Sequence, residues 1–253
     1  CLSILGCLPA EGRDATLRLG VDDDNYTLLS LLNDMARQRK QGEVFPQTAI
    51  ETGEFSSGRK AIITMGAPGS GKTTLLNAFM QKYNITSLEN INMDIFKEEL
   101  RKQFPDLPAN EAEYNEVERS LMGQLQALAV KEKNLSQSEA MKNGDGMAID
   151  MTGASYKTSS KIIKDLQENG YEVFVLHADV SKETSLANNK SRGQEGNRSL
   201  PDFVVETAWN SVNNNLPMYK DLLGENFFSV NTELIERGTI PEDVAESLYN
   251  KAN

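Results

Sequence analysis

Cysteine is nearly absent from this chain. It occurs only as Cys1 and Cys7, and histidine only as His177. That excludes a disulfide framework and a Cys/His zinc cluster in the body of the protein, and it fits a reducing compartment. A cytoplasmic location is therefore expected, the host cytoplasm if the chain is phage-encoded. No apolar run approaches the ~20 residues of a membrane-spanning helix. The apolar stretch CLSILGCLPA has no basic flank of the secretory-signal kind, and with no initiator Met a truncated or processed end is expected. Basic residues are in deficit too: 26 Lys and Arg stand against 37 Asp and Glu, for a net charge of −11. This argues against a large basic nucleic-acid surface and leaves room only for a local groove. No repeat of 20–50 residues is visible.

What is present is a globular composition, 39% hydrophobic and 25% charged over 253 residues. That length suits one large domain, or one domain with an appendage. Residues 1–58 form the expected appendage. Leu28, Leu29, Leu31, Leu32 and Met35 recur at helical spacing over 25–41, and a Pro/Gly/Ser-bearing connection follows. From residue 59 to 253 short apolar runs alternate with amphipathic ones. Strands are expected at AIITMG (61–66), ENINMD (89–94), GMAIDM (146–151), YEVFVLHAD (171–179) and NFFSVN (226–231). Helices are expected between them, among them 73–83, 95–104 and 158–170. A capping box at Asn110 and Glu113 is expected to open a helix reaching about Asn134. Ser181 should cap a helix to about Lys190, and Pro201 and Pro241 should open two more. Strands separated by helices imply parallel crossovers. The fold expected is α/β, a parallel five-stranded sheet flanked by helices with a helical N-terminal appendage.

The strongest chemical signal is GAPGSGKTT, which begins with Gly66, Ala67, Pro68, Gly69 and Ser70 and continues with Gly71, Lys72, Thr73 and Thr74. It fits the phosphate-binding loop G-x-x-x-x-G-K-[ST] and stands between an expected strand and an expected helix. Glycines let backbone N–H groups curl around a phosphate, and the helix N-terminus adds partial positive charge. Lys72 would reach the β- and γ-phosphates of ATP, and Thr73 would ligate Mg²⁺. A guanine-specific switch needs N-K-x-D, and Asn189-Lys190-Ser191-Arg192 lacks its aspartate. A transporter-type ATPase needs a signature loop that LSQSE (135–139) does not supply. A small kinase of the P-loop NTPase class is the remaining reading.

Asp94, at the end of the second expected strand, stands where a carboxylate would take the proton of a substrate hydroxyl; the alternative is a helix N-cap. Asp150 closes the third strand and would hold Mg²⁺ with Thr73 or orient substrate. Arg192 and Arg198 flank a polar, glycine-bearing stretch read as a mobile loop that closes over ATP. Lys97 is read either as a contact to a substrate phosphate or as a solvated lysine. Lys157, Lys161 and Lys164 read as a solvated helix face, and Trp209 as packing.

Taken together, GAPGSGKTT, INMDIFKEEL, AIDMTG and NNKSRGQEGNRSLPDFVVETAW resemble the zeta-toxin and phage polynucleotide-kinase-like group of P-loop kinases, from about Arg59 to Asn231. The resemblance implies a parallel α/β kinase core over 59–253. It places the general base on Asp94, a substrate or phosphate contact on Lys97, the P-loop pair on Lys72 and Thr73, and phosphate-binding arginines on Arg192 and Arg198. Polynucleotide kinases typically carry Arg where Lys97 stands, and their third-strand motif reads aspartate-Thr-Asn, whereas here Asp150 is followed by Met151-Thr152-Gly153, with the carboxylate shifted by one. The implied activity is transfer of the γ-phosphoryl group of Mg-ATP to a hydroxyl on a nucleotide sugar or other small acceptor. A 5′-hydroxyl polynucleotide kinase is one alternative. A non-catalytic ATP-dependent binding module, with a protein partner on residues 1–58, is the other.

Overall fold

The computed structural model describes residues 58–102, 104, 107–108 and 110–253. The expected helix over 25–41, and with it the appendage, lies outside them. Five strands are formed: β1 (Lys60–Met65), β2 (Glu89–Ile91), β3 (Met147–Asp150), β4 (Glu172–Asp179) and β5 (Phe227–Asn231). They make one sheet in the order β2-β3-β1-β4-β5, with every pairing parallel. Among the described residues seven α-helices accompany them: α1 (Lys72–Lys82), α2 (Met93–Lys102), α3 (Glu116–Asn143), α4 (Tyr156–Glu168), α5 (Lys182–Gln194), α6 (Asp202–Leu223) and α7 (Glu242–Ala252).

The sheet is covered on both sides, which is why its strands read as apolar runs rather than as alternations. On one face Ile62, Phe174 and Leu176 meet Leu75 and Phe79 of α1 and Leu248 of α7. On the other, Ile63, Ile149 and Val175 meet Ile163 of α4 and Tyr219 of α6. A smaller cluster packs Phe104, Leu107 and Tyr114 against Met122 and Leu125 of α3, and so fixes the segment that leads into that helix. The strand order reverses at β1, between β3 and β4, so the crevice lies at the C-terminal end of β1. Among the described residues no helix is long and apolar enough to cross a membrane.

Several boundaries differ from expectation. The second strand stops at Ile91, because Asn92 turns the chain: its side-chain oxygen accepts the Asp94 amide hydrogen at 2.8 Å. Asp94 thus sits in the first turn of α2 and not at a strand end. The capping box is Asn115–Glu118, with both reciprocal bonds formed, whereas Asn110 caps a single 3₁₀ turn, Glu111–Glu113. Helix α3 runs on through the polar residues near Asn134 and stops where Gly144 takes a φ of 79°. Helix α5 continues past Lys190 to Gln194, and α6 continues to Leu223 with Pro217 inside it.

His177, on β4, is buried, and its Nδ1 lies 2.9 Å from the Ser229 hydroxyl of β5. Burial pushes its pKa down to about 4, against the nearby Asp179 carboxylate, which raises it. The unfolded chain carries this imidazole at its ordinary value near 6.5, so it takes up a proton first as pH falls. The contribution to stability is therefore complete above about pH 6.5 and declines toward pH 4. Urea unfolding is expected to show a loss of about 2 kcal/mol between pH 7 and pH 5 from this group. That loss should be absent in His177→Gln.

Candidate active site

The loop after β1 has a shape that only its glycines allow. Gly69 has a φ of 78°, and a Cβ there would stand 2.5 Å from the Ser185 carbonyl oxygen of α5. A Cβ on Gly66 would stand 2.6 Å from the Ala178 carbonyl oxygen of β4. Gly71, with φ 85°, precedes α1 and offers no side-chain cap, so the first N–H groups of that helix stay open.

Three side chains from outside the loop fix its peptide groups. Ser185 donates its hydroxyl hydrogen to the Pro68 carbonyl at 2.6 Å. Asn188 donates an amide hydrogen to the Gly69 carbonyl at 2.8 Å. The Thr232 hydroxyl lies 2.9 Å from the Ser70 carbonyl and 3.0 Å from that of Asp179. Within the loop, the Ser70 amide donates to the Ala67 carbonyl at 3.1 Å, and Lys72 Nζ donates to the same oxygen at 3.3 Å. Ser70 is 1% exposed and its hydroxyl has no hydrogen-bond partner.

Residues 68–74 line an open cleft of about 1690 Å³, and Asp94, Lys97, Asp150, Arg192 and Arg198 line it with them. Gly66 and the buried Ala67 lie below the surface of the cleft. Asp150 is oriented by its register neighbour, since Thr64 of β1 donates its hydroxyl hydrogen to Oδ1 at 2.7 Å. Arg192 lies in the last turn of α5 rather than in a loop, and its side chain is exposed. Asn189, the first residue of the incomplete N-K-x-D match, is inside the same helix. It holds Leu200 through two hydrogen bonds, of 2.8 and 3.0 Å.

Arg198 faces the carboxylate wall. Its Nη1 donates to Asp94 Oδ1 at 3.2 Å, and its Nε donates to Glu111. Lys97 is 5% exposed, which overturns its reading as a solvated lysine. Burial, with the Arg198 charge beside it, holds the Lys97 ammonium pKa below the usual lysine value, while Glu111 and Asp94 act in the opposite sense. Lys157, Lys161 and Lys164 are exposed as expected, and Lys161 stands at the cleft. Trp209 packs on α6 and donates Nε1–H to the Val180 carbonyl at 2.8 Å.

Five residues at the site carry no sequence signal of their own: Ser185, Asn188, Thr232, Glu111 and Lys133. Lys133 lines the cleft from α3, and burial lowers its pKa. All five reach the site by tertiary approach, from positions 37 or more residues from the P-loop.

The zeta-toxin family profile matches residues 48–230, well over half of the chain. No curated protein matches it in sequence. Among solved structures, the native AvrRxo1-ORF1:-ORF2 complex superposes with a TM-score of 0.60 at 17% identity, covering 98% of this chain and 79% of that one. The PezAT chromosomal toxin–antitoxin system of Streptococcus pneumoniae gives 0.51 at 16% identity, covering 88% and 87%. AvrRxo1-ORF1:-ORF2 with ATP gives 0.54 at 18% identity, covering 78% and 64%. At these identities the likeness is one of fold.

The glycine geometry makes a graded expectation. Gly69→Ala meets backbone at 2.5 Å, whereas Gly71→Ala meets nothing closer than 3.9 Å. Titration calorimetry with ATP should show Gly69→Ala losing affinity by about tenfold or more, and Gly71→Ala, strained only in φ, losing less.

Proposed function

We propose that this chain, which belongs to the zeta-toxin family, transfers the γ-phosphoryl group of ATP to a hydroxyl of a small acceptor. The observation that carries the reading is a pairing across one cleft. A loop of N–H and ammonium donors stands on one side, and the Asp94 carboxylate, 46% exposed, stands on the other.

The donor set fits a polyphosphate. The Pro68, Gly69 and Ser70 carbonyls are tied outward, the α1 N-terminus is open, and Lys72 has a neutral carbonyl as its partner. The unpaired Ser70 hydroxyl adds a donor at the same place. Among the described residues no group of three His, Cys, Asp or Glu side chains forms a metal site. Thr73 and Asp150 would hold Mg²⁺ together with the nucleotide, and the ion would offset phosphate charge.

In the proposed step the acceptor oxygen bonds to Pγ as the bond from Pγ to the ADP oxygen breaks. The hydroxyl proton passes to the Asp94 carboxylate. Lys72 and the guanidinium of Arg192 offset charge on the transferring group, and Lys97 and Arg198 hold positive charge beside the base. A nucleotide sugar or similar small acceptor is favoured over a polynucleotide because the chain carries a net charge of −11. The PezAT structure is of a toxin–antitoxin system, and a protein partner for this chain belongs to the same reading.

The test is transfer of label from γ-labelled ATP with Mg²⁺, offering UDP-N-acetylglucosamine and a 5′-hydroxyl oligonucleotide together. Label is expected on the sugar nucleotide, with transfer reduced about 10²- to 10⁴-fold in Asp94→Asn. Label on the oligonucleotide makes the chain a polynucleotide kinase. Label on neither, with phosphate release unchanged in Asp94→Asn, removes Asp94 as base and leaves a nucleotide-dependent binding module.

A further inference from the structure

We propose that Glu111 is a positioning residue that sets the orientation of Arg198 against Asp94. The inference rests on the reading of Asp94 as the base, and it adds a residue that neither the motifs nor that reading contains.

Four charges meet beside the cleft, and three of them, Asp94, Lys97 and Arg198, belong to its lining. Glu111 Oε1 accepts Nε–H of Arg198 and lies 4.0 Å from Lys97 Nζ. Arg198 Nη1 in turn lies 3.2 Å from Asp94 Oδ1. Both cations are withdrawn from solvent, with side-chain exposures of 6% for Lys97 and 15% for Arg198. Two like charges so placed need two carboxylates. Asp94 is the more exposed of the pair, at 46% against 21% for Glu111, so Glu111 gives the better shielded counter-charge. A guanidinium is a rigid planar fork, so engaging Nε at Glu111 decides which nitrogen is left to face Asp94.

The backbone around the pair is built to hold it. The Glu111 amide donates to the Ser199 carbonyl at 3.1 Å, and Asn110 and Ser199 form a parallel bridge. Asn189 holds Leu200 on the other side of Arg198. The 3₁₀ turn carrying Glu111 is bounded by Tyr114, which packs in the cluster with Leu107 and Leu125. Arg198 and Glu111 are thus anchored to each other by main chain as well as side chain. Without the Glu111 charge, Nε–H loses its charged partner, and among the described residues Asp94 is the carboxylate left paired with the guanidinium. The arginine, already bonded to Asp94 through Nη1, is then expected to turn further onto the base and withhold it from the acceptor hydroxyl.

The experiment uses the full chain, with Glu111→Gln, Glu111→Asp, Arg198→Lys and the double variant Glu111→Gln/Arg198→Lys. The first readout is the Arg198 Nε–H resonance in side-chain ¹⁵N spectra, identified by its loss in Arg198→Lys. In Glu111→Gln its exchange with water is expected to quicken about tenfold or more as the charge-assisted bond is lost. The second is steady-state transfer. Glu111→Gln should lower kcat about tenfold with KM for ATP within about threefold, and the double variant should fall no further than Arg198→Lys alone. Glu111→Asp, which keeps the charge and shortens the reach, should lie between. It serves as the test variant if Glu111→Gln fails to give a cooperative thermal transition.

Unchanged Nε–H exchange overturns the proposal, and so do losses that multiply in the double variant. If wild-type protein transfers no phosphoryl group to any acceptor, the functional reading fails instead, and the exchange measurement alone decides whether Glu111 positions Arg198.

Discussion

Three consecutive carbonyls of the P-loop, those of Pro68, Gly69 and Ser70, are each held from outside by a side-chain donor. The rest of the site depends on this constraint. No peptide bond among the described residues is cis, and in a trans peptide the N–H points opposite to the C=O. Fixing the carbonyl of Pro68 outward therefore aims the amide of Gly69 inward, and fixing that of Ser70 does the same for Gly71. The loop can take this path only because Gly66, Gly69 and Gly71 accept positive φ values. Its lysine then stands at the head of α1, where the helix dipole adds to the same field.

Helix α5 ties this cradle to the opposite wall. Its first half carries Ser185 and Asn188, which hold the P-loop. Asn189, one residue on, holds the loop that carries Arg198, and the last turn presents Arg192 to the cleft. A displacement of α5 would move the glycine-rich loop and the arginines as one body. The protein is acidic as a whole, yet its cleft gathers Lys72, Lys97, Lys133, Arg192 and Arg198. Asp94, Asp150, Asp165, Glu195, Glu233 and Glu236 line the same cleft, so it carries charge of both signs.

Much of this was legible in the residues. The P-loop, the five strands and the parallel class follow from local pattern, because a glycine-rich turn between an apolar run and a helix has few alternatives. Asp94 and Asp150 stand out as candidates because each follows a short expected strand, and both line the cleft. The differences have separate causes. Asn92 ends β2 by a side-chain to backbone bond that no periodicity reveals, so Asp94 was given to a strand. Arg192 was given to a loop because Gly193 and Gly196 look like helix breakers, although α5 runs on to Gln194. Thr232 and Glu111 were invisible because their roles arise from approach across 162 and 87 residues of chain, as the Ser70–Thr232 and Glu111–Arg198 contacts show.

The most direct test of the account is ATP affinity when the outward ties on the loop are removed. Ser185→Ala/Thr232→Val deletes two of the three donors and leaves every P-loop residue in place. ATP binding, measured by calorimetry beside the wild type, is expected to weaken about tenfold or more, about 1.4 kcal/mol, while the unfolding transition stays cooperative. Equal affinity in the two proteins, or no ATP binding by the wild type, would contradict the claim that the held carbonyls make this loop a phosphate site.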